Sequence, residues 1–237
     1  DVVNAFKESV KTESSAAGKS ILNQLIENAD IATSNRVPMC QDTGVSVFLV
    51  KLGRNCHITG GSLEDAINEG VRTGYDEGYL RYSIVDDPIS RKNTGDNTPS
   101  VIHIELAEGD SLEVQMSAKG GGAENMSAMK MLTPSAGLSG VKDFIMQTVK
   151  EAGPNACPPL VVGIGIGGNF EVAPYLAKKS LFRPVGERHP VESIADLERE
   201  IHEAVNKLGI GPQGLGGDTT ALDIKIETAP CHIAALP

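Results

Sequence analysis

Five strand-like runs fall irregularly among the helical stretches of this chain, and their order limits the fold more than any single motif. Residues 45–51, 101–106, 112–116, 160–166 and 221–227 are aliphatic or alternate apolar with polar side chains, as half-buried or buried strands do. Runs 101–106 and 112–116 flank Glu108-Gly109-Asp110, which predicts a hairpin. In the first thirty residues Val2, Val3, Phe6 and Val10 share a helical face, and Ile21, Leu22, Leu25 and Ile26 repeat the spacing. The small, polar stretch 12–20 leaves one helix or two helices with a joint equally consistent. Arg36-Val37-Pro38 ends that region, because the residue before a proline is pushed out of helical geometry. Ser62 with Asp65 predicts a helix start carried to about residue 79, and residues 86–100 read as a long ordered loop. Further helices are expected over 125–132, 141–151, 171–179 and 191–208; the last carries Ile194, Leu197, Ile201, Val205 and Leu208 on one stripe. Two strand runs with no helix between them fit an α+β or mixed α/β fold better than a regular βαβ array. The expectation is an α+β (mixed α/β) fold of mixed, partly antiparallel sheets surrounded by helices, in a single domain over 1–237.

Charge narrows the function. With 21 basic and 31 acidic residues the chain carries −10 at neutral pH, which argues against nucleic acid as a partner, since phosphate binding needs clustered Lys and Arg. No apolar run approaches the roughly 20 residues of a membrane helix, and no signal-peptide pattern opens the chain, so a cytoplasmic location is expected. There is no Trp, and four Tyr and five Phe are the only aromatic residues, so the core must be aliphatic.

Cys40, Cys56, Cys157 and Cys231 are too dispersed for a disulfide framework and lack the paired C-x-x-C of a structural zinc site. Three of them share a setting. Cys40 follows Pro38-Met39, Cys157 precedes Pro158-Pro159, and Cys231 follows Pro230 just after a predicted strand. Irregular backbone can aim thiolates at a common soft metal, and three ligands would leave one position open for substrate. The competing reading is three small buried hydrophobes. Cys56 lacks the proline and reads as a plain free thiol. His57, His103, His189, His202 and His232 form no H-E-x-x-H or similar zinc pattern.

Residues 161–168 contain G-x-G-x-x-G at Gly163, Gly165 and Gly168, between a strand and a helix, with Glu187 beyond. That is the dinucleotide fingerprint taken literally, but Glu187 lies in turn chemistry and the repeated βαβ units are missing. Gln41 and Asp42 adjoin Cys40; Arg81 and the loop 91–99 offer carboxylate-binding donors, the alternative for Arg81 being a solvated surface charge. The run Lys119-Gly120-Gly121-Gly122 leads into a predicted helix start, where backbone N–H groups favour anions, or is an ordinary glycine turn.

The stretches PMCQDTG (38–44), RKNTGDNTP (91–99), KGGGAENMS (119–127), NACPPLVVGIGIGG (155–168), GPQGLGGDTTALDIKIE (211–227) and APCHIAALP (229–237) together resemble the class I, iron–sulfur-dependent fumarate hydratases. The likeness is to the α subunit of the two-subunit form. The resemblance implies a [4Fe–4S] cluster held by Cys40, Cys157 and Cys231, whose fourth iron acts as a Lewis acid in the reversible hydration of fumarate to L-malate. It also implies that Gln41, Asp42, Arg81 and a glycine of the 120–122 run, Gly121 being the choice, hold the dicarboxylate, and that Asp42 takes part in proton handling. By the same resemblance further arginines and the general base belong to a β subunit, so that the chain is inactive alone and works in a homodimer of α or an α2β2 assembly. The related L-tartrate dehydratase α subunit performs the same kind of elimination; the cysteine in APCHIAALP and the GGGAEN run look more like fumarase. Family members continue past the HIAALP segment, so this chain is expected to be cut short at Pro237. A non-catalytic iron–sulfur or scaffold subunit, and a metal-free small-molecule binding domain, are the readings from other classes.

Overall fold

The structure, a computed structural model, describes residues 1–237. The chain forms two compact units, one of Asp1–Ala29 with Gly122–Pro237 and the other of Asp30–Gly121. Helices and mixed sheets make it an α+β protein, as the sequence leads one to expect.

The N-terminal region is two helices, α1 (Val2–Thr12) and α2 (Ala16–Asn35), so the small, polar stretch is a joint. Glu13 lies at that joint and is buried. In the unit of Asp30–Gly121, β1 (Val45–Gly53) leads to α3 (Leu63–Glu77), which starts where Ser62 Oγ accepts the N–H of Asp65 at 3.3 Å. Then come the long loop and two strands, β2 (Val101–Ala107) and β3 (Leu112–Lys119).

The predicted hairpin is not formed. The sheet order is β2-β1-β3, with β1 parallel to β2 and antiparallel to β3. The reason lies in β1, where Val47, Leu49 and Val50 are buried on both faces and need a neighbour on each side, whereas β2 and β3 have exposed positions suited to edges. The connection between β2 and β3 passes over the end of β1: Gly53 N–H donates to Ser111 O, Arg54 N–H to Ala107 O and Asn55 N–H to Gly109 O. Strands with one other strand between them are about 10 Å apart, and four residues at about 3.3 Å each cover that gap. The register puts Phe48, Val50 and Leu52 beside Ile102, Ile104 and Leu106 on one side and Met116, Val114 and Leu112 on the other, so one sheet face is apolar throughout.

The other unit continues with α4 (Gly121–Asn125) from its second residue on, then α5 (Gly137–Ala152), β4 (Leu160–Gly168), α6 (Val172–Ser180), α7 (Glu192–Asn206) and β5 (Ala221–Cys231). The helix expected over 125–132 is instead the single turn of α4, ending where that prediction begins. Leu132 is drawn into an isolated bridge with Leu236, and Pro134 holds Thr133 extended, so the segment is committed to non-helical backbone. β4 and β5 pair in parallel, and β5 runs on through Pro230 to Cys231 instead of stopping at 227. Val141, Ile145 and Val149 of α5, Leu197, Ile201 and Val205 of α7, and Ala221, Ile224 and Ile226 of β5 form the aliphatic core. No helix is long and apolar enough to cross a membrane.

Candidate functional site

Residues 40–44 form an irregular turn between α2 and β1. The turn lies against the end of β3, and only glycine permits it at position 44: φ is +77°, and a Cβ there would stand 2.5 Å from the Lys119 carbonyl oxygen. Cys40 is exposed, and its thiol donates to Gln41 Oε1 at 3.4 Å. The Asp42 carboxylate ties three segments together. Its Oδ1 accepts the Gly44 N–H at 3.0 Å and the Ser83 hydroxyl at 3.4 Å, and its Oδ2 accepts the Gly121 N–H at 2.8 Å. Thr43 pairs with the Arg81 backbone in both directions: its hydroxyl accepts the Arg81 N–H at 3.1 Å and reaches the Arg81 carbonyl at 3.2 Å. Gln41, Asp42, Arg81 and Gly121, together with Cys40, are thus assembled within one unit. The Arg81 side chain is exposed and its guanidinium has no partner in the chain, so its donor fork is free for a carboxylate. Gly121 spends its N–H on Asp42, and a Cβ there would stand 3.5 Å from Asp42 Oδ2.

The long loop backs this turn. Thr98, through its N–H and hydroxyl, and then Arg72 at 3.0 Å hold the Asp96 carboxyl below the usual carboxylate range. Arg91 and Lys92 are exposed on the loop.

In the other unit Cys157 has left-handed backbone, φ 57° and ψ 60°, after the 3-10 turn Gly153–Ala156, and its N–H donates to Pro154 O. The Pro158 carbonyl that follows accepts both the backbone N–H of Gln213 at 2.6 Å and its side-chain amide at 2.9 Å. Cys231 is the last residue of β5, opposite Gly168 in the ladder, with its thiol 3.4 Å from Ala235 O. Cys157 and Cys231 are free and exposed; Cys56, in the first unit, is free and half-buried at the end of β1.

Behind Cys231 the β5 strand is braced by charge. Asp223 and Lys225 are fully buried and paired at 2.8 Å, and Lys225 also reaches the carbonyls of Pro184 and Glu187. Arg188 meets Asp223 at 2.5 Å; Arg183 meets the buried Glu198 at 2.5 Å and Glu227 at 3.1 Å. Burial alone would raise the carboxyls of Glu198 and Asp223, yet Arg183 with the Ile226 and His189 N–H groups lowers the first, and Lys225, the Gly186 N–H and Arg188 lower the second. Glu13 follows the same pattern: burial raises it, and the N–H groups of Asp218, Ser15 and Thr219 outweigh that.

The dinucleotide fingerprint has a packing explanation. A Cβ on Gly163 would lie 2.2 Å from Ala177 O, and one on Gly165 would lie 2.0 Å from Ala173 O, so these glycines let α6 rest directly on β4. Ser83, Tyr75 and Asn97 around the turn at 40–44 are contributors that sequence reasoning missed; Asn97 stood within a quoted motif, but nothing in its spacing told a buried amide from a solvated one.

Cys40, Cys157 and Cys231 offer the donor chemistry that an iron–sulfur group requires. All three are exposed thiols free of disulfides on irregular or terminal backbone, which suits iron. One lies in the unit of Asp30–Gly121 and two in the other, and within neither unit do three His, Cys, Asp or Glu side chains stand arranged to hold a metal ion. The donors fit in kind.

Comparison with known proteins gives a consistent picture. A family model described as fumarate hydratase (fumerase) matches residues 1–237. A Methanocaldococcus jannaschii protein, provisionally named L(+)-tartrate dehydratase subunit alpha, is 48% identical over 244 aligned positions, covering 100% of this chain and 85% of its own length. L(+)-tartrate dehydratase subunit alpha of Escherichia coli strain UTI89 is 36% identical over 235 residues, 98% of this chain and 77% of that one. Its counterpart in strain K12 has the same identity and coverage.

Proposed function

Because the chain belongs to the class I fumarate hydratase family and is a hydro-lyase α subunit, we propose that it catalyses, with a β subunit, the reversible hydration of fumarate to L-malate. The observation that carries this reading is the assembly of Gln41, Asp42, Arg81 and Gly121 around the Cys40 turn, with the Arg81 guanidinium unpaired. That arrangement suits one end of a dicarboxylate: a free guanidinium fork for a carboxylate, a side-chain amide for orientation, and a glycine that leaves room for close approach.

Cys40, Cys157 and Cys231 would hold a [4Fe–4S] cluster, with residues 1–237 acting as one catalytic domain. When bound, the cluster supplies an open iron that activates the substrate hydroxyl for departure. The chain's own residues bind and orient. Arg81 neutralises a substrate carboxylate, and Gln41 offers an amide beside the Cys40 thiolate. Asp42 keeps Gly121 and Ser83 in place and, because each carboxylate oxygen has two acceptor sites, retains capacity for a proton or a substrate hydroxyl. In the dehydration of malate one C–H proton and one hydroxide leave together as water, and hydration of fumarate is the reverse. The base that takes the C–H proton is assigned to the β subunit, as the name "subunit alpha" borne by the relatives implies such a partner. An α2β2 assembly built on an α homodimer in a reducing cytoplasm completes the reading, since an iron with an open position is easily oxidised.

A second reading is L-tartrate as substrate, favoured by the names of relatives 48% and 36% identical to this chain. Anaerobic iron–sulfide reconstitution, followed by assay with and without the β subunit, separates the two. Malate turnover only with both subunits is the expected result. Tartrate dehydration with malate ignored would move the substrate to the sister enzyme, and turnover of neither would remove the hydro-lyase assignment for this complex.

A further inference from the structure

From a buried position in the long loop, the single side chain of Asn97 reaches both halves of the candidate dicarboxylate site. It is fully buried, within a loop whose neighbours on both sides are polar, and its backbone is left-handed with φ 58°. Its side-chain oxygen accepts the Ser83 N–H at 2.6 Å, and its side-chain nitrogen donates to the Gly44 carbonyl at 3.2 Å. Gly44 closes the turn that carries Cys40, Gln41 and Asp42; Ser83 is two residues beyond Arg81 and also contacts Asp42. The Tyr75 hydroxyl secures the same turn from α3, donating to the carbonyls of Thr43 at 2.9 Å and Gly44 at 3.0 Å.

Few side chains meet these requirements. The site needs a donor and an acceptor on one short planar group, on a residue that tolerates positive φ, which describes asparagine. Aspartate would keep the bond from Ser83 and turn a carboxylate oxygen toward the Gly44 carbonyl. Alanine would be strained and would orphan two buried backbone groups.

Resting on the substrate assignment above, we propose that Asn97 is the positioning residue of the dicarboxylate site, setting the spacing between the Asp42 turn and the Arg81 segment without touching substrate. Its effect on rate comes through Asp42 and Arg81, and Tyr75 assists by donating to the same Gly44 carbonyl. Displacing a binding group by about 1 Å costs on the order of 100-fold in kcat/KM.

The test uses the reconstituted two-subunit enzyme carrying Asn97→Asp, Asn97→Gly or Tyr75→Phe. Asn97→Gly suits the left-handed backbone and serves where Asn97→Asp does not fold. The expected result for Asn97→Gly is a roughly 100-fold loss of kcat/KM, expressed mainly in KM for the dicarboxylate. Tyr75→Phe loses less, in the same direction. In an Arg81→Ala background the added cost of Asn97→Gly falls several-fold short of its cost alone, since both changes spoil one unit. Values within twofold of the parent, or full multiplicative losses beside Arg81→Ala, would overturn the proposal. Hydrogen exchange on the α chain decides it without substrate. Segments 40–44 and 81–84 should both exchange faster in Asn97→Gly, whereas unchanged exchange in either contradicts the positioning role. A parent complex that turns over neither malate nor tartrate would sink the substrate reading and leave the exchange result standing.

Discussion

The two units hold their functional backbone by different means. Around the turn at 40–44 most ties come from the neutral side chains of Thr43, Tyr75, Ser83 and Asn97, and the one carboxylate that joins them, Asp42, is half-buried. In the other unit Glu13, Glu198, Asp223 and Lys225 are buried, and ionised groups pin the strand that ends at Cys231. Neutral hydrogen bonds keep their geometry across pH, whereas buried carboxylates are strong only while ionised. The contrast places the chain's fully buried ionised groups in the unit of Cys157 and Cys231, whereas the carboxylates around the turn of Cys40, Asp42 and Asp96, are half-buried.

The hardest test of that contrast is Glu198→Ala. It leaves Arg183 with Glu227 as its one carboxylate partner and removes the acceptor for the N–H groups of Ile226 and His189, so chemical denaturation should show a loss of about 3–5 kcal/mol. A loss under about 1 kcal/mol, the scale of a surface pair, would erase the distinction between the units. Acid gives the next test. Glu13, Glu198 and Asp223 are all lowered in the folded chain, so their stabilisation is complete above the ordinary carboxylate range. As pH falls below that range the unfolded chain takes up protons that the folded chain refuses, and stability drops until the folded groups titrate. Hydrogen exchange followed from neutral pH downward, corrected for the intrinsic rate, should show β5 losing protection before β1; the reverse order contradicts the account.

Smaller effects sharpen the picture. Gly165→Ala forces a methyl against the Ala173 carbonyl and should cost about 1–3 kcal/mol in thermal unfolding, with no change in nucleotide binding because none is expected. The Ser46 hydroxyl is buried on β1 without a partner, so Ser46→Ala should be neutral or stabilising, by up to about 1 kcal/mol. A clear loss there would reveal a bond to that hydroxyl.

How much of this was legible in the sequence follows from how local each feature is. Apolar spacing located α7 and its stripe, and Ser62 with Asp65 located the start of α3, because both signals lie within one element. The pairing of β1 between β2 and β3 was not legible, since adjacency in sequence favours a hairpin and the burial of β1 is decided by distant neighbours. Asp223 and Lys225 alternate along β5 just as solvent-facing residues would, and only their mutual pairing, Arg188 and the carbonyls of Pro184 and Glu187 show why they are inside. In the candidate site, the composition of the turn at 40–44 was readable. Its meeting with Arg81 and Gly121, 38 residues from Thr43 and 79 from Asp42 respectively, was not derivable from spacing and came only with the family resemblance. Asn97 escaped because a buried amide in a polar loop carries no periodic signal.

The central claim is that Cys40, Cys157 and Cys231 are the cluster thiolates and Cys56 is not. Iron and sulfide per chain, measured after anaerobic reconstitution of Cys40→Ser, Cys157→Ser, Cys231→Ser and Cys56→Ala, tests it most directly. The account predicts that each of the first three loses the four-iron complement while remaining folded, and that Cys56→Ala loads like the parent. A full complement in Cys157→Ser, or an empty Cys56→Ala, would contradict it.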